Sequence, residues 1–246
     1  MTKKDIIRLC DANGIENYAI NDDLSLNVYD SVSMQFISKK IGKIPLSFNY
    51  VQDNFYCDEK RLKSLIGFPK RIDGMLDISI NQLKNLNYCP EYVSEEFFCE
   101  QNHLTSLKGI SKYIGGDLYA QQNDLTSVEG LQQHFFGNIS LHDNNLTSLK
   151  GISKYIDGDL YLQSNSIRTF DHFPYVKGDL YLKDNPIYEL WNLFENVDYI
   201  GYFNELDIIQ ENGQVVILDR LNYFLQDIGK NEINENYIKN YKVVSN

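Results

Sequence analysis

Six stretches of this chain restate one another at a nearly fixed spacing, and that periodicity limits the fold more than any other feature. They are GMLDISINQLKNL from Gly74, EEFFCEQNHLTSL from Glu95, GDLYAQQNDLTSV from Gly116, GNISLHDNNLTSL from Gly137, GDLYLQSNSIRTF from Gly158 and GDLYLKDNPIYEL from Gly178. Their starts lie 21 residues apart, except for a last step of 20. A degenerate copy, DNFYCDEKRLKSL, begins at Asp53, and a weaker one, VSMQFISKKIGKI, at Val32. A period in this range means stacked coils whose core is shared between neighbours. About eight coils are expected.

Each column of the repeat has a physical reading. Two inward columns flank one outward residue, as the period-2 geometry of a strand requires. The first runs Phe55, Leu76, Phe97, Leu118, Ile139, Leu160, Leu180, and the second Cys57, Ile78, Cys99, Ala120, Leu141, Leu162, Leu182. Two more apolar columns follow, one from Leu62 to Ile187 and one from Leu65 to Leu190. Ahead of these two stands the column Asn81, Asn102, Asn123, Asn144, Asn165 and Asn185. An amide side chain both donates and accepts, so stacked copies can satisfy the backbone of the turn that leaves the strand. Gly67, Gly109, Gly130 and Gly151 then break the chain on the return side.

The pattern L-x-L-x-x-N-x-L-x-x-L resembles the leucine-rich repeat over residues 32–190. The resemblance implies an α/β repeat solenoid, a horseshoe with one short parallel strand per coil. Residues 1–31 then read as an N-terminal cap and 191–246 as a C-terminal cap and tail. NYAIND, LTSLKGISKYIGGDLY, and NPIYELWNLF with DIIQ and VVILDRLNYFL further resemble small leucine-rich repeat proteins of tailed bacteriophages and some bacteria. Lys39 and Lys60 take the asparagine position in the first coils, where less regularity is expected.

The ends carry their own signals. Residues 3–12 read as a helix with Thr2 as N-cap and Gly14 near the stop. NYAI and LSLNVYD read as strands. Asn185-Pro186 opens a helix through IYELWNLF, VDYIGYFNEL a second, and DRLNYFLQDIG a third ending at Gly229. DIIQENGQVVIL reads as a hairpin about Asn212-Gly213. The polar tail EINENYIKN is expected to be mobile or loosely docked. Cys57 and Cys99 share a column two coils apart, about 10 Å at about 4.8 Å per strand, beyond the roughly 7 Å reach of a disulfide. With Cys10 and Cys89 they read as reduced core residues, and the chain as a cytoplasmic protein without signal or membrane span.

What remains is the outward face of the strands. The residue between the two inward columns is Tyr56, Asp77, Phe98, Tyr119, Ser140, Tyr161 and Tyr181 in turn. Before it come Glu96, Asp117, Asp159 and Asp179, and after it Asp58, Glu100, Gln121, His142, Gln163 and Lys183. This is an aromatic stripe with an acidic margin. Tyrosine anchors interfaces through large area and little entropy to lose, and aromatics also stabilise a sheet by stacking across strands. The residues proposed to touch a partner are Tyr56, Phe98, Tyr119, Tyr161, Tyr181, Glu96, Asp117, Asp159, Asp179, Glu100, Gln121, His142 and Gln163.

Ser140 and His142 lie about 6.6 Å apart on one strand, too far for a nucleophile and its base. No cysteine–histidine spacing suggests zinc and no glycine-rich loop a phosphate, so neither enzyme activity, metal nor cofactor is expected. Leucine-rich repeat ubiquitin ligases need a catalytic cysteine beyond the repeats, and none is present. A net charge of −11 disfavours nucleic acid and anionic lipid. The expected function is capture of a protein with a basic surface through a concave aromatic and acidic face. The family resemblance implies a bacterial host protein, such as a defence component. The other class considered is an acidic nucleic-acid mimic. Against it, the acids are interspersed with 23 Lys and Arg.

Overall fold

The structure is a computed structural model that describes residues 1–34 and 42–245. Eight two-residue strands, Val32–Ser33, Phe55–Tyr56, Leu76–Asp77, Phe97–Phe98, Leu118–Tyr119, Ile139–Ser140, Leu160–Tyr161 and Leu180–Tyr181, pair in chain order into one parallel sheet. Turns of about 21 residues connect them into a parallel β-solenoid. The register puts Tyr56, Asp77, Phe98, Tyr119, Ser140, Tyr161 and Tyr181 in one row across this long sheet.

Both inward columns are buried throughout, except that Leu180 in the last coil is half-buried. The asparagine column supplies the polar cement. Asn123 Oδ1 accepts the Leu104 N–H at 3.0 Å, while its Nδ2 donates to the carbonyls of Cys99 and Ala120 at 3.1 and 3.2 Å. Asn81, Asn102, Asn144, Asn165 and Asn185 repeat the arrangement in their own coils. The carbonyls of Ile78, Cys99, Ala120, Leu141 and Leu162 therefore each receive two amides, one from their own coil and one from the next.

The return side holds a feature that the periodicity reading passed over: a second strand in each coil. Tyr18–Ile20, Leu26–Val28, Phe48–Val51, Arg71–Ile72, Tyr92–Val93 and Tyr113–Ile114 form one sheet, and His134–Phe135, Tyr155–Ile156 and Tyr175–Val176 another. Their inward residues Val51, Ile72, Val93, Ile114, Phe135, Ile156 and Val176 make a further core column. The return sheet divides because the Gln132 amide occupies Ile114, accepting its N–H at 3.0 Å and donating to its carbonyl at 3.1 Å. Gly67, Gly109, Gly130 and Gly151 all have φ between +91° and +123°, so the return side turns where the glycines stand.

Among the described residues the α-helices stand at the two ends of the solenoid. Helix α1, Lys3–Ala12, has a capping box between Thr2 and Asp5 and buries Ile6 and Cys10. The hairpin Tyr18–Ile20 with Leu26–Val28 follows it. The last coil runs into α2, Tyr188–Trp191, and a 3₁₀ turn Val197–Tyr199, α3, Ile200–Glu205, and α4, Leu218–Asp227, follow. Helix α2 is shorter than expected. The chain bends after it, and Phe194 stacks on Phe203 and meets Phe170 and Phe224 edge to face.

The C-terminal tail is docked rather than loose, which corrects the sequence expectation. Lys242–Val244 pairs parallel to Val215–Ile217, itself the second strand of the expected hairpin with Ile209–Gln210. Tyr241 is buried and its hydroxyl donates to the Arg168 carbonyl at 2.8 Å, while Glu189 Oε2 accepts the Lys239 and Asn240 amides. Polar composition hid these long-range bonds.

Lys39 lies outside the described residues. At Lys60 the long-sheet strand pairs on both sides as in other coils. A local irregularity does appear: Arg61 has φ of 55° in addition to Glu59 at the regular left-handed position. All four cysteines are free thiols, with Cys10, Cys57 and Cys99 buried and Cys89 half-buried 3.6 Å from the Ser111 hydroxyl.

Candidate interaction surface on the long sheet

The outward row of the long sheet is not an even aromatic stripe but two stacks. Phe98 and Tyr119 lie with centroids 4.7 Å apart and planes at 1°, and Tyr161 and Tyr181 at 4.7 Å and 3°. Adjacent strands of a parallel sheet sit about 4.8 Å apart, so rings in register fall face to face. Ser140 separates the stacks, and Asp77 separates Phe98 from Tyr56. Tyr181 is 37% exposed, and Tyr56, Phe98, Tyr119 and Tyr161 are half-buried.

The acids beside this row are partly scaffold. Asp117 Oδ1 accepts the Asn138 N–H at 2.7 Å, Asn138 Oδ1 accepts the Asp159 N–H at 2.7 Å, and Asp159 Oδ1 accepts the Asp179 N–H at 2.8 Å. The glycine before each of these residues lets neighbouring backbones approach. A Cβ on Gly137 would lie 2.6 Å from the Gly116 carbonyl oxygen. The second carboxylate oxygens accept the tyrosine hydroxyls: Tyr119 to Asp117 at 3.3 Å, Tyr161 to Asp159 at 2.9 Å and Tyr181 to Asp179 at 3.3 Å. The hydrogen bond to Asp159 pushes the Tyr161 phenol up to about 12. Burial, and then Asp117, push Tyr119 upward too. These tyrosines stay neutral, with electron-rich rings. Glu96 makes no side-chain hydrogen bond among the described residues.

The row on the other side differs in kind. Glu100 Oε2, Gln121 Oε1 and Gln163 Oε1 are shielded from solvent and have no hydrogen-bond donor among the described residues. Burial, followed by the charge of Asp77, raises the Glu100 carboxyl above its ordinary range, and burial does the same to Asp77. His142 Nδ1 pairs with Asp143 at 2.8 Å. Among the described residues no hydrogen bond joins His142 to Ser140. An open cavity of about 260 Å³ lies between the stacks, lined by Leu118, Tyr119, Gln121, Asn138, Ser140, His142 and Tyr161. The sheet thus brings all thirteen candidate residues to one face, with Tyr56 set apart from the rest by Asp77.

Sequence reasoning missed a second aromatic row on the return sheets. Tyr50, Arg71, Tyr92 and Tyr113 are in register, as are His134, Tyr155 and Tyr175. Tyr92 stacks on Tyr113 at 4.7 Å and 8°, and the Arg71 guanidinium lies 4.0 Å from the centre of the Tyr92 ring. His134 pairs with Asp157 at 3.0 Å, and Tyr155 and Tyr175 are 55% and 56% exposed. The signal was legible in the dipeptides Tyr92-Val93, Tyr113-Ile114, Tyr155-Ile156 and Tyr175-Val176, which recur at the same place in four of the coils.

Among the described residues no helix is long and apolar enough to cross a membrane, and no three His, Cys, Asp or Glu side chains converge as metal ligands. Comparison of the chain with protein-family models and with curated proteins finds no match.

Proposed function

We propose that this chain is a non-enzymatic, protein-binding module of the leucine-rich repeat type. It captures its partner on the open face of the long sheet. The observation that carries the reading is the conjunction, on one face, of two partly exposed aromatic stacks with side-chain acceptors that have no donor among the described residues. Stacking alone accounts for the rings. It leaves Glu100, Gln121 and Gln163 unexplained, because a shielded acceptor without a donor costs about 1–3 kcal/mol. An incoming protein surface supplies the donors once these side chains turn toward it. The proposal extends to the setting that the sequence resemblance implies: a phage-encoded protein in the cytoplasm of an infected bacterium, blocking or redirecting a host protein.

The test is capture from a bacterial lysate by the wild type and by the Tyr119→Ala/Tyr161→Ala double variant, with circular dichroism to verify folding. Loss of capture by the folded double variant supports the reading. Undiminished capture refutes it. A parallel Tyr155→Ala/Tyr175→Ala variant tests the return sheet, and loss of capture there alone moves the interface to that face. Capture that collapses between low and high salt while ignoring the tyrosines favours nucleic-acid mimicry.

A further inference from the structure

Ser140 occupies a layer between two rings. Tyr119 and Tyr161 stand one coil to either side of it in the same register. Each stacks on its outer neighbour at 4.7 Å. Two strand steps separate Tyr119 from Tyr161, about 9.5 Å at the spacing of a parallel sheet. A flat group set above Ser140 would therefore meet a ring face on each side at nearly the distance the existing stacks use.

The molecule itself indicates what such a layer accepts. On the return sheet Arg71 sits in register between Tyr50 and Tyr92, its guanidinium 4.0 Å from the Tyr92 ring centre. Asp73 binds both partners of that layer: Arg71 Nε at 2.6 Å and the Tyr50 hydroxyl at 2.8 Å. The layer at Ser140 repeats this chemistry from two sides. Asp117 accepts the Tyr119 hydroxyl and Asp159 the Tyr161 hydroxyl, so a tyrosine–carboxylate pair flanks each wall. Gln121, which lines the cavity, offers a shielded Oε1 with no donor among the described residues.

Spacing alone would also admit a nucleobase or a phenol. The rim decides between them. A guanidinium is planar, carries five N–H donors and no acceptor, and stacks on aromatic faces. It suits walls of electron-rich tyrosine and a rim of carboxylate and amide oxygens. A nucleotide would bring phosphate into a chain of net charge −11. A phenol brings one donor to this rim, whereas a guanidinium brings five together with a positive charge for the carboxylates. Lysine carries the charge but has no plane to enter the stack.

We propose that the slot above Ser140 binds the side chain of an arginine presented by a partner protein, sandwiched between Tyr119 and Tyr161. The inference deepens the reading of the long sheet as an interaction face and rests on it for its biological setting, but its test does not require the partner.

The experiment is an NMR titration of the full chain with four probes: N-acetylarginine methylamide, N-acetyllysine methylamide, N-acetyltyrosine methylamide and adenosine. The arginine probe should shift the ring signals of Tyr119 and Tyr161 saturably, at least about tenfold more tightly than lysine. Ser140→Tyr sets a ring in the layer, as Tyr119 and Tyr161 do in theirs, and should abolish the response. Should that variant not fold, Tyr161→Leu removes one wall and should weaken arginine at least about tenfold, with lysine little changed. Equal binding of arginine and lysine, tighter binding of tyrosine or adenosine, or an undiminished response in the folded variants each overturns the proposal. The two readings fail separately. Partner capture that survives Ser140→Tyr removes the arginine slot and leaves the interaction face. Arginine binding alongside capture that ignores Tyr119 and Tyr161 does the reverse.

Discussion

Asn123→Ala should destabilise the solenoid by about 3 kcal/mol, and the figure follows from which backbone groups lose their partner. Asn123 is 7% exposed. Its Nδ2 donates to the Cys99 and Ala120 carbonyls, but Cys99 O keeps Asn102 Nδ2 at 3.2 Å and Ala120 O keeps Asn144 Nδ2 at 3.1 Å. The doubled ladder protects the acceptors. It does not protect the Leu104 N–H, whose side-chain acceptor is Asn123 Oδ1. A buried donor left without a partner costs about 1–3 kcal/mol, and the lost side-chain volume adds about 1 kcal/mol. Equilibrium urea unfolding measures the loss as a lower midpoint at unchanged slope, a shift of about 1 M for a slope near 3 kcal/mol/M. Asn145→Ala is the control: the same residue type one coil later, exposed, with only its backbone bonded. It should cost less than about 0.5 kcal/mol. Equal losses at the two positions would refute the ladder as the source of stability.

Three further outcomes follow from particular residues. Ile80 is β-branched, 45% exposed and has φ of 53°, so Ile80→Asn, which tolerates that conformation, should raise unfolding stability by about 1 kcal/mol. Gly137→Ala should cost more than about 2 kcal/mol in the same assay, since its Cβ would press on the Gly116 backbone. Glu100→Gln gives a signed pH test. Burial and Asp77 raise the Glu100 carboxyl, so the folded chain holds that proton more tightly than the unfolded chain. The contribution of Glu100 to stability therefore falls as pH rises from the ordinary glutamate value, about 4.3, through the raised one. The variant should be more stable than wild type at pH 7, and the difference should vanish below about pH 4. A pH-independent difference would refute the burial argument.

The period of the chain, the inward columns, the asparagines and the glycine breaks were legible because each coil meets the same neighbours. A side chain that works once works in every turn and recurs in the same column. The outward row was legible too, as residues, but not its working parts. Nothing in the word Gly-Asp-Leu-Tyr reveals that the aspartate of one coil caps the backbone of the next and also holds its own tyrosine. That placed Asp117 and Asp159 partly among the scaffold. The return strands were missed because Arg71 and His134 interrupt the tyrosines of one outward position.

Sequence by itself determined that this protein is a stack of coils, which residues fill the inward columns of the long sheet, and that the outward tyrosines of that sheet share one face. The tertiary structure alone decided that the outward aromatics divide into two stacks about Ser140, that three acceptors beside them have no donor among the described residues, and that the polar tail docks on Arg168 and Glu189. The physical reason is range. Periodicity records contacts that repeat at every coil, whereas a gap in a stack or a hydrogen bond across 73 residues, such as Tyr241 to Arg168, occurs once and leaves no repeating trace.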